Sequence, residues 1–346
     1  MKRSAAVGFL PLAAIILAAF LPLLNAEACT RMFWNTNGKV MVTGRNMDLD
    51  IDDQPVFYVF PRGINKNGGA DINPATWTSQ YGSLVVTHLG HSTFSTEGMN
   101  TAGLAFHCLY LSPTIYEGRD AARPGVLQGR YGMYLLDNAA TVSDALLLMY
   151  HTQLVPEVIN GRIWPLHFAL EDASGDSAII EFIGGKMHVY HSSDYTVLTN
   201  DPPFDQHIQN LWEYQYFGGD LPMPGDLNPT DRFIRASAYL SSLSAGFSNQ
   251  ALKPDPVSAM FTAIRAITEP FGGIQFFSGV PVAAWPTLWT MVSDLTHKRV
   301  YFAHNLARNN FWINMSKLNF EPGAPILSLD AKKRGLHGEV SRLFTP

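Results

Sequence analysis

The chain has 346 residues, 47% of them hydrophobic and only 15% charged. That apolar share excludes an intrinsically disordered protein, and a formal net charge of −5 excludes a basic field for nucleic acid. Two cysteines, Cys29 and Cys108, are too few for a disulfide scaffold or a Cys-rich zinc site.

In chain order the first predicted element is an export signal. Lys2 and Arg3 precede an apolar run from Ala5 to Leu24, which closes on Ala26-Glu27-Ala28. A basic start, an apolar middle and small residues three and one before a junction mark a cleaved secretory signal over residues 1–28. Pro11 and Pro22 argue against the alternative, an uncleaved membrane anchor. No second apolar run of ~18 residues follows, so the expectation is an exported, periplasmic protein with no membrane association after cleavage. Cleavage leaves Cys29 as the first residue. The rival reading is a non-catalytic envelope lipoprotein or acyl-binding module lipidated at Cys29. Lipoproteins ordinarily carry Leu and a small residue where Ala26 and Glu27 stand.

After Cys29, residues 30–35 and 39–45 predict a hairpin around Asn37-Gly38. Strand patterns recur at 56–60, 83–87, 104–111, 166–171, 178–183, 187–191 and 196–199. Helical periodicity marks 141–150, where Thr141 and Asp144 stand at capping-box spacing, and also 231–243 and 257–267. Strands return at 288–294, 299–304 and 310–315. Strands, then helices, then strands predict an α+β fold, a single domain over 29–346 with helices on the outer faces of antiparallel sheets.

Several familiar motifs fail on inspection. The run Asp48-x-Asp50-x-Asp52 lacks the Gly and Glu of a calcium loop, with Asp53 and Val59 in their places. Gly90-His91-Ser92-Thr93-Phe94 ends in Phe rather than the Gly of a serine nucleophile elbow. His188 and His191 fall on opposite faces of a strand, so no metal site is expected. Cys108, inside an apolar strand, reads as a core residue.

A cysteine at a free chain terminus carries its own base, because the α-amino group titrates at about 7.7–8.0 and the thiol at about 8.5. The amine can take the thiol proton and return it to a leaving amine. A hairpin centred on Asn37-Gly38 sets Arg45 opposite Thr30, beside Cys29, with Asp48 close to the amine. A cation there favours the thiolate.

Six segments then fall in one order: Cys29-Thr30-Arg31, Gly44 to Asp48, Glu97 to Leu104, Leu198 to Pro202, Asp231 to Ala236 and Trp289 to Asp294. Together they resemble the choloylglycine hydrolase and penicillin V acylase family of N-terminal-nucleophile hydrolases. The resemblance implies a four-layer αββα sandwich and hydrolysis of a linear amide without a metal or organic cofactor. It implies Cys29 as nucleophile with its amine as base, and Arg45 and Asp48 to orient and tune that pair. The side chain of Asn200 and the backbone N–H of Tyr110 would form the oxyanion hole, with Arg232 completing the polar network. Phe57, Phe60, Tyr81 and Tyr110 are the aromatics expected near the acyl group. Tyr110, where bile-salt hydrolases carry Asn, points to the acylase side. So does the export signal, typical of relatives similar to enzymes acting on penicillin V and acyl homoserine lactones. Leu49 replaces an aromatic of some relatives. The chain between Asn200 and Arg232 is short where tetrameric relatives carry an assembly segment, which leaves a homo-oligomer open. The expected partner is a small-molecule acyl amide, with conjugated bile salts as the alternative substrate.

Overall fold

The computed structural model describes residues 29–246, 255–277 and 279–346. The signal expected over residues 1–28 lies outside them. The chain opens with strands β1 (Cys29–Trp34), β2 (Val42–Asp48), β3 (Val56–Phe60), β4 (Ser83–His88), β5 (His91–Asn100) and β6 (Ala105–Tyr110). Helices α1 (Gln128–Asn138) and α2 (Val142–His151) follow, then β7 (Leu166–Glu171), β8 (Ser177–Ile183), β9 (Lys186–His191) and the short β10 (Val197–Leu198). After α3 (Phe204–Leu211), α4 (Pro229–Gly246) and α5 (Pro256–Arg265) come β11 (Thr287–Asp294), β12 (Arg299–His304), β13 (Asn309–Asn314), β14 (Leu327–Asp330) and β15 (His337–Glu339).

These strands form a seven-stranded sheet, ordered β10-β1-β2-β11-β12-β13-β15, and an eight-stranded sheet, ordered β9-β8-β7-β6-β5-β4-β3-β14. The sheets face each other across an apolar core, where Phe57 of β3 meets Phe302 and Phe311 edge-on at 5.1 and 5.8 Å. Helices α4 and α5 cover the outer face of the first sheet, while α1 covers that of the second with α2 beside it. The layers are therefore αββα, as expected. Both helix layers come very close to their sheets. A Cβ at Gly132 of α1 would meet Phe106 of β6 at 2.4 Å, and one at Gly44 of β2 would meet Met260 of α5 at 2.9 Å.

The opening hairpin departs from the expected register. Asn37 does not form a two-residue turn; its side chain organises a longer loop, accepting from the N–H groups of Lys39 and Val40 and donating to Trp34 O and Val40 O. Arg45 consequently pairs with Arg31, and Cys29 with Met47. A one-residue slip moves every side chain to the other face, so the register decides which way Arg45 points. Arg45 and Met47 share the face of Cys29, toward the second sheet. Asn46 turns the other way and donates to Ile264 O on α5.

Strands β5, β14 and β15 and helices α1 and α3 had no counterpart in the sequence reading. Strand β5 is polar and lacks alternation, yet it is buried over its second half because β4 and β6 flank it. Helix α1 carries Gly129 and Gly132, which weaken a helical pattern but permit its close approach to β5 and β6. By contrast, α2 forms with Thr141 as its N-cap and a reciprocal bond from Thr141 N–H to Asp144, the capping box that the spacing predicts.

Candidate active site

Cys29 opens β1 and is buried, with Sγ 3.9 Å from Met47 Sδ and 4.0 Å from Asp48 O. Burial pushes its thiol above the ordinary value, and Arg45 pulls it down only in part. At rest the group is a thiol, so attack on a carbonyl requires a base to remove its proton.

Arg45 is fixed from the opposite sheet. Its Nε donates to Glu97 Oε1 at 2.7 Å and one terminal nitrogen to Cys108 O at 2.8 Å. Glu97 belongs to β5, and its second oxygen meets Nδ1 of His107 on β6. His107 Nε2 meets Glu171 Oε1 on β7 at 2.7 Å, and Glu171 Oε2 accepts from Arg31 at 2.5 Å. Five ionisable side chains, all at most 1% exposed, thus run between the sheets from Arg45 to Arg31. Burial alone lowers the pKa of His107, but Glu171 and Glu97 outweigh it and raise it to about 9. Burial raises Glu171, yet Arg31 and His107 carry it down to about 2. With both guanidiniums and His107 charged against two carboxylates, the chain holds one net positive charge, with Arg45 at the Cys29 end.

On the helix side of β1, Arg232 of α4 gathers the remaining groups. One terminal nitrogen donates to Cys29 O at 2.7 Å and to Thr30 Oγ1 at 2.8 Å, and the other donates to Asn200 Oδ1 at 3.1 Å. Asn200, two residues past β10, donates through Nδ2 to Tyr110 O at 2.8 Å, which links the ends of the two sheets. Asp48 Oδ1 accepts from the Thr287 hydroxyl. Its Oδ2 is buried, 4.0 Å from Arg232, with no hydrogen bond among the described residues. Glu269 lies 2.9 Å from Arg232 Nε, and both its oxygens are buried with no hydrogen bond among the described residues. Burial lifts Glu269 to about 8 against the pull of Arg232, with Asp48 adding to the rise.

A narrow cavity opens beside Cys29, walled by Leu49, Phe94, Leu109, Trp164 and Trp285, and Tyr110 also lines it. Of the six predicted polar residues, Cys29, Arg45, Asp48 and Tyr110 line the cavity, and Asn200 and Arg232 stand behind it, bonded to Tyr110 O and Cys29 O. Three of the expected acyl-site aromatics do not line it. Phe57 is in the core between the sheets. Phe60 stacks on Tyr58 and under Lys66. Tyr81 N–H bonds to Asp137 O at the end of α1. The alternation of β3 turns Phe57 into the core, and sequence position alone could not tell core from cavity. Cys108 is buried, as expected, but it also lines the cavity. A wider cleft of about 260 Å³ among Trp34, Tyr195, Phe204 and Leu240 holds none of the candidate residues.

Residues 29–328 match the family model described as linear amide C-N hydrolases, choloylglycine hydrolase family. The chain belongs to this family. It is 33% identical over 343 residues to the penicillin V acylase of Pectobacterium atrosepticum, covering 92% of this chain and 90% of that one. The structure of the penicillin V acylase from Agrobacterium tumefaciens superposes with a TM-score of 0.80 at 32% identity, covering 92% of this chain and 97% of that one. The conjugated bile acid hydrolase of Clostridium perfringens shares the fold, with a TM-score of 0.74 at 21% identity over 89% of this chain and 98% of that one. This choloylglycine hydrolase family member is thus a linear amide hydrolase.

Glu97, His107, Glu171, Arg31 and Glu269 went unassigned in the sequence reading. The signal was available for His107, Glu171 and Arg31, as ionisable residues inside expected strand segments such as Ala105-Phe106-His107-Cys108-Leu109, whereas Glu97 lies in β5. Glu269, in the segment after α5, offered none.

Proposed function

We propose that removal of residues 1–28 on export to the periplasm frees the α-amine of Cys29, and that the mature enzyme hydrolyses acyl amides through a Cys29 thioester. The carrying observation is an orphaned acceptor beside Cys29. Asp48 Oδ2 is buried there with no hydrogen-bond donor among the described residues. An α-ammonium at Cys29 supplies that donor. The family match that opens at Cys29 supports the same boundary.

In this reading the amine takes the thiol proton as Sγ attacks the amide carbonyl. Arg45, carrying the charge at the end of the buried chain, stabilises the sulfur's developing negative charge. The oxyanion receives the Asn200 amide and the Tyr110 N–H. The ammonium then protonates the leaving amine, and water hydrolyses the thioester with the amine again as base. The apolar, aromatic wall fits an acyl group, and similarity to penicillin V acylases supports phenoxyacetyl amides as substrates, with N-acyl homoserine lactones as the second candidate class.

Replacing Cys29→Ser is expected to cut turnover by about 10³-fold or more with the thermal unfolding midpoint retained. Wild-type enzyme trapped with substrate should gain the acyl mass on the Cys29 peptide. Near-normal activity in the serine variant would sink the cysteine mechanism, and a diacylglyceryl mass on that peptide would replace the enzyme with a lipoprotein. Parallel assays of penicillin V, a long-chain acyl homoserine lactone and glycocholate then rank the substrates.

A further inference from the structure

His88 ends β4 and lines the cavity beside Cys29, with only 4% of its surface exposed. Its ring stands edge-on to Phe94 at 5.5 Å and to Trp164 at 5.7 Å, so apolar groups grip it on two sides. Neither ring nitrogen has a hydrogen bond among the described residues. Nδ1 is buried and 3.8 Å from Asp53 Oδ2, beyond bonding distance. That Asp53 oxygen accepts from Trp289 Nε1 at 2.6 Å, which holds the carboxylate in place behind the ring.

Other polar side chains of the wall already have roles. Cys29, Arg45 and Asp48 form the reaction centre, and Thr96 gives its hydroxyl to Val86 O. His88 differs because it is a strongly polar group in an apolar slot with its hydrogen-bonding capacity unused. Buried polar groups are ordinarily satisfied, and the few polar groups in an apolar ligand site fix the orientation of what binds there. Asp53 behind Nδ1 favours the tautomer with its proton on that nitrogen, which turns the Nε2 edge to the cavity.

We infer that His88 is a specificity-determining residue whose Nε2 accepts a hydrogen bond from a hydroxyl carried within the acyl group. The enzyme then selects acyl amides bearing a hydroxyl over all-carbon acyl chains of the same length. The inference rests on the cavity being the acyl site of a Cys29 hydrolase. An acyl chain without such a hydroxyl leaves the buried imidazole unsatisfied, and one ordinary hydrogen bond corresponds to about tenfold in kcat/KM.

The test is a matched pair of amides of one amine, 3-hydroxy-3-phenylpropionyl and 3-phenylpropionyl, which differ by one hydroxyl. With the processed wild-type enzyme, kcat/KM is expected to favour the hydroxylated amide by about tenfold or more. In His88→Leu the ratio should collapse toward one, and His88→Gln, which keeps a donor and an acceptor, should restore part of it. A wild-type ratio near one overturns the inference without any variant, as does a ratio that survives in His88→Leu. Turnover of neither amide, with no acyl mass on Cys29, overturns instead the hydrolase reading beneath it and takes the inference with it.

Discussion

Asn200 gives one amide hydrogen to Tyr110 O and accepts from Arg232, which leaves its second amide hydrogen for an oxyanion. The substitution Asn200→Ala is therefore expected to lower kcat by about 10²–10³-fold with a much smaller change in KM. A loss below fivefold in steady-state assays would remove Asn200 from the oxyanion hole. At this scale the sequence was informative where a residue's chemistry is rare and ambiguous where it is common. A cysteine after an expected signal junction, followed by Arg45 and Asp48, stood out because that combination has few structural uses. Phe57 and Phe60 belong to a set of 21 phenylalanines, most of which must build the core. No local pattern separates those that face a cavity from those that fill the space between sheets. Trp164 and Trp285 reach the cavity from segments outside the two main sheets, so strand alternation could not have found them.

The unit that secures Arg45 is a relay across five strands, with Arg45 on β2, Glu97 on β5, His107 on β6, Glu171 on β7 and Arg31 on β1. Each member is fully desolvated, so removing one leaves an uncompensated neighbour. The substitution Glu97→Ala is expected to destabilise the fold by about 3–5 kcal/mol, read from urea unfolding. A cost under about 1 kcal/mol would show that the relay is not needed to hold the sheets together. The element boundaries were largely legible, because β-branched and apolar runs bounded by turns mark strands wherever one face is polar. The hairpin register was not. Asn37-Gly38 suggested a tight turn, but Asn37 satisfies its side chain by closing a longer loop, and that choice reverses the face on which Arg45 lies. Strand β5 was invisible for a related reason: its neighbours in the sheet, rather than its own composition, make it a strand.

For the molecule as a whole, the relay predicts a pH profile of stability. His107 is raised to about 9 from 6.5, so its contribution is complete below pH 6.5 and is lost as pH rises through 9. Glu171 is lowered to about 2 from 4.5, so its contribution holds above pH 4.5 and is lost as pH falls through 2. The unfolding midpoint should be highest between about pH 4.5 and 6.5 and decline toward pH 9, where His107 alone accounts for about 3 kcal/mol. A profile flat from pH 5 to 9 would mean that the pKa of His107 is not raised in the folded protein. The two-sheet architecture has a further consequence. The first sheet carries the proposed reacting groups, Cys29, Arg45 and Asp48, whereas β4, β5 and β6 of the second sheet supply His88, Phe94, Thr96 and Leu109 to the cavity wall. The proposed nucleophile and its tuning groups therefore sit on one layer, while the other supplies four wall side chains together with Tyr110. Evolution can vary the second layer at these wall positions and acquire new acyl preferences while the first stays constant. A combinatorial library confined to those four positions is the corresponding route for an engineer.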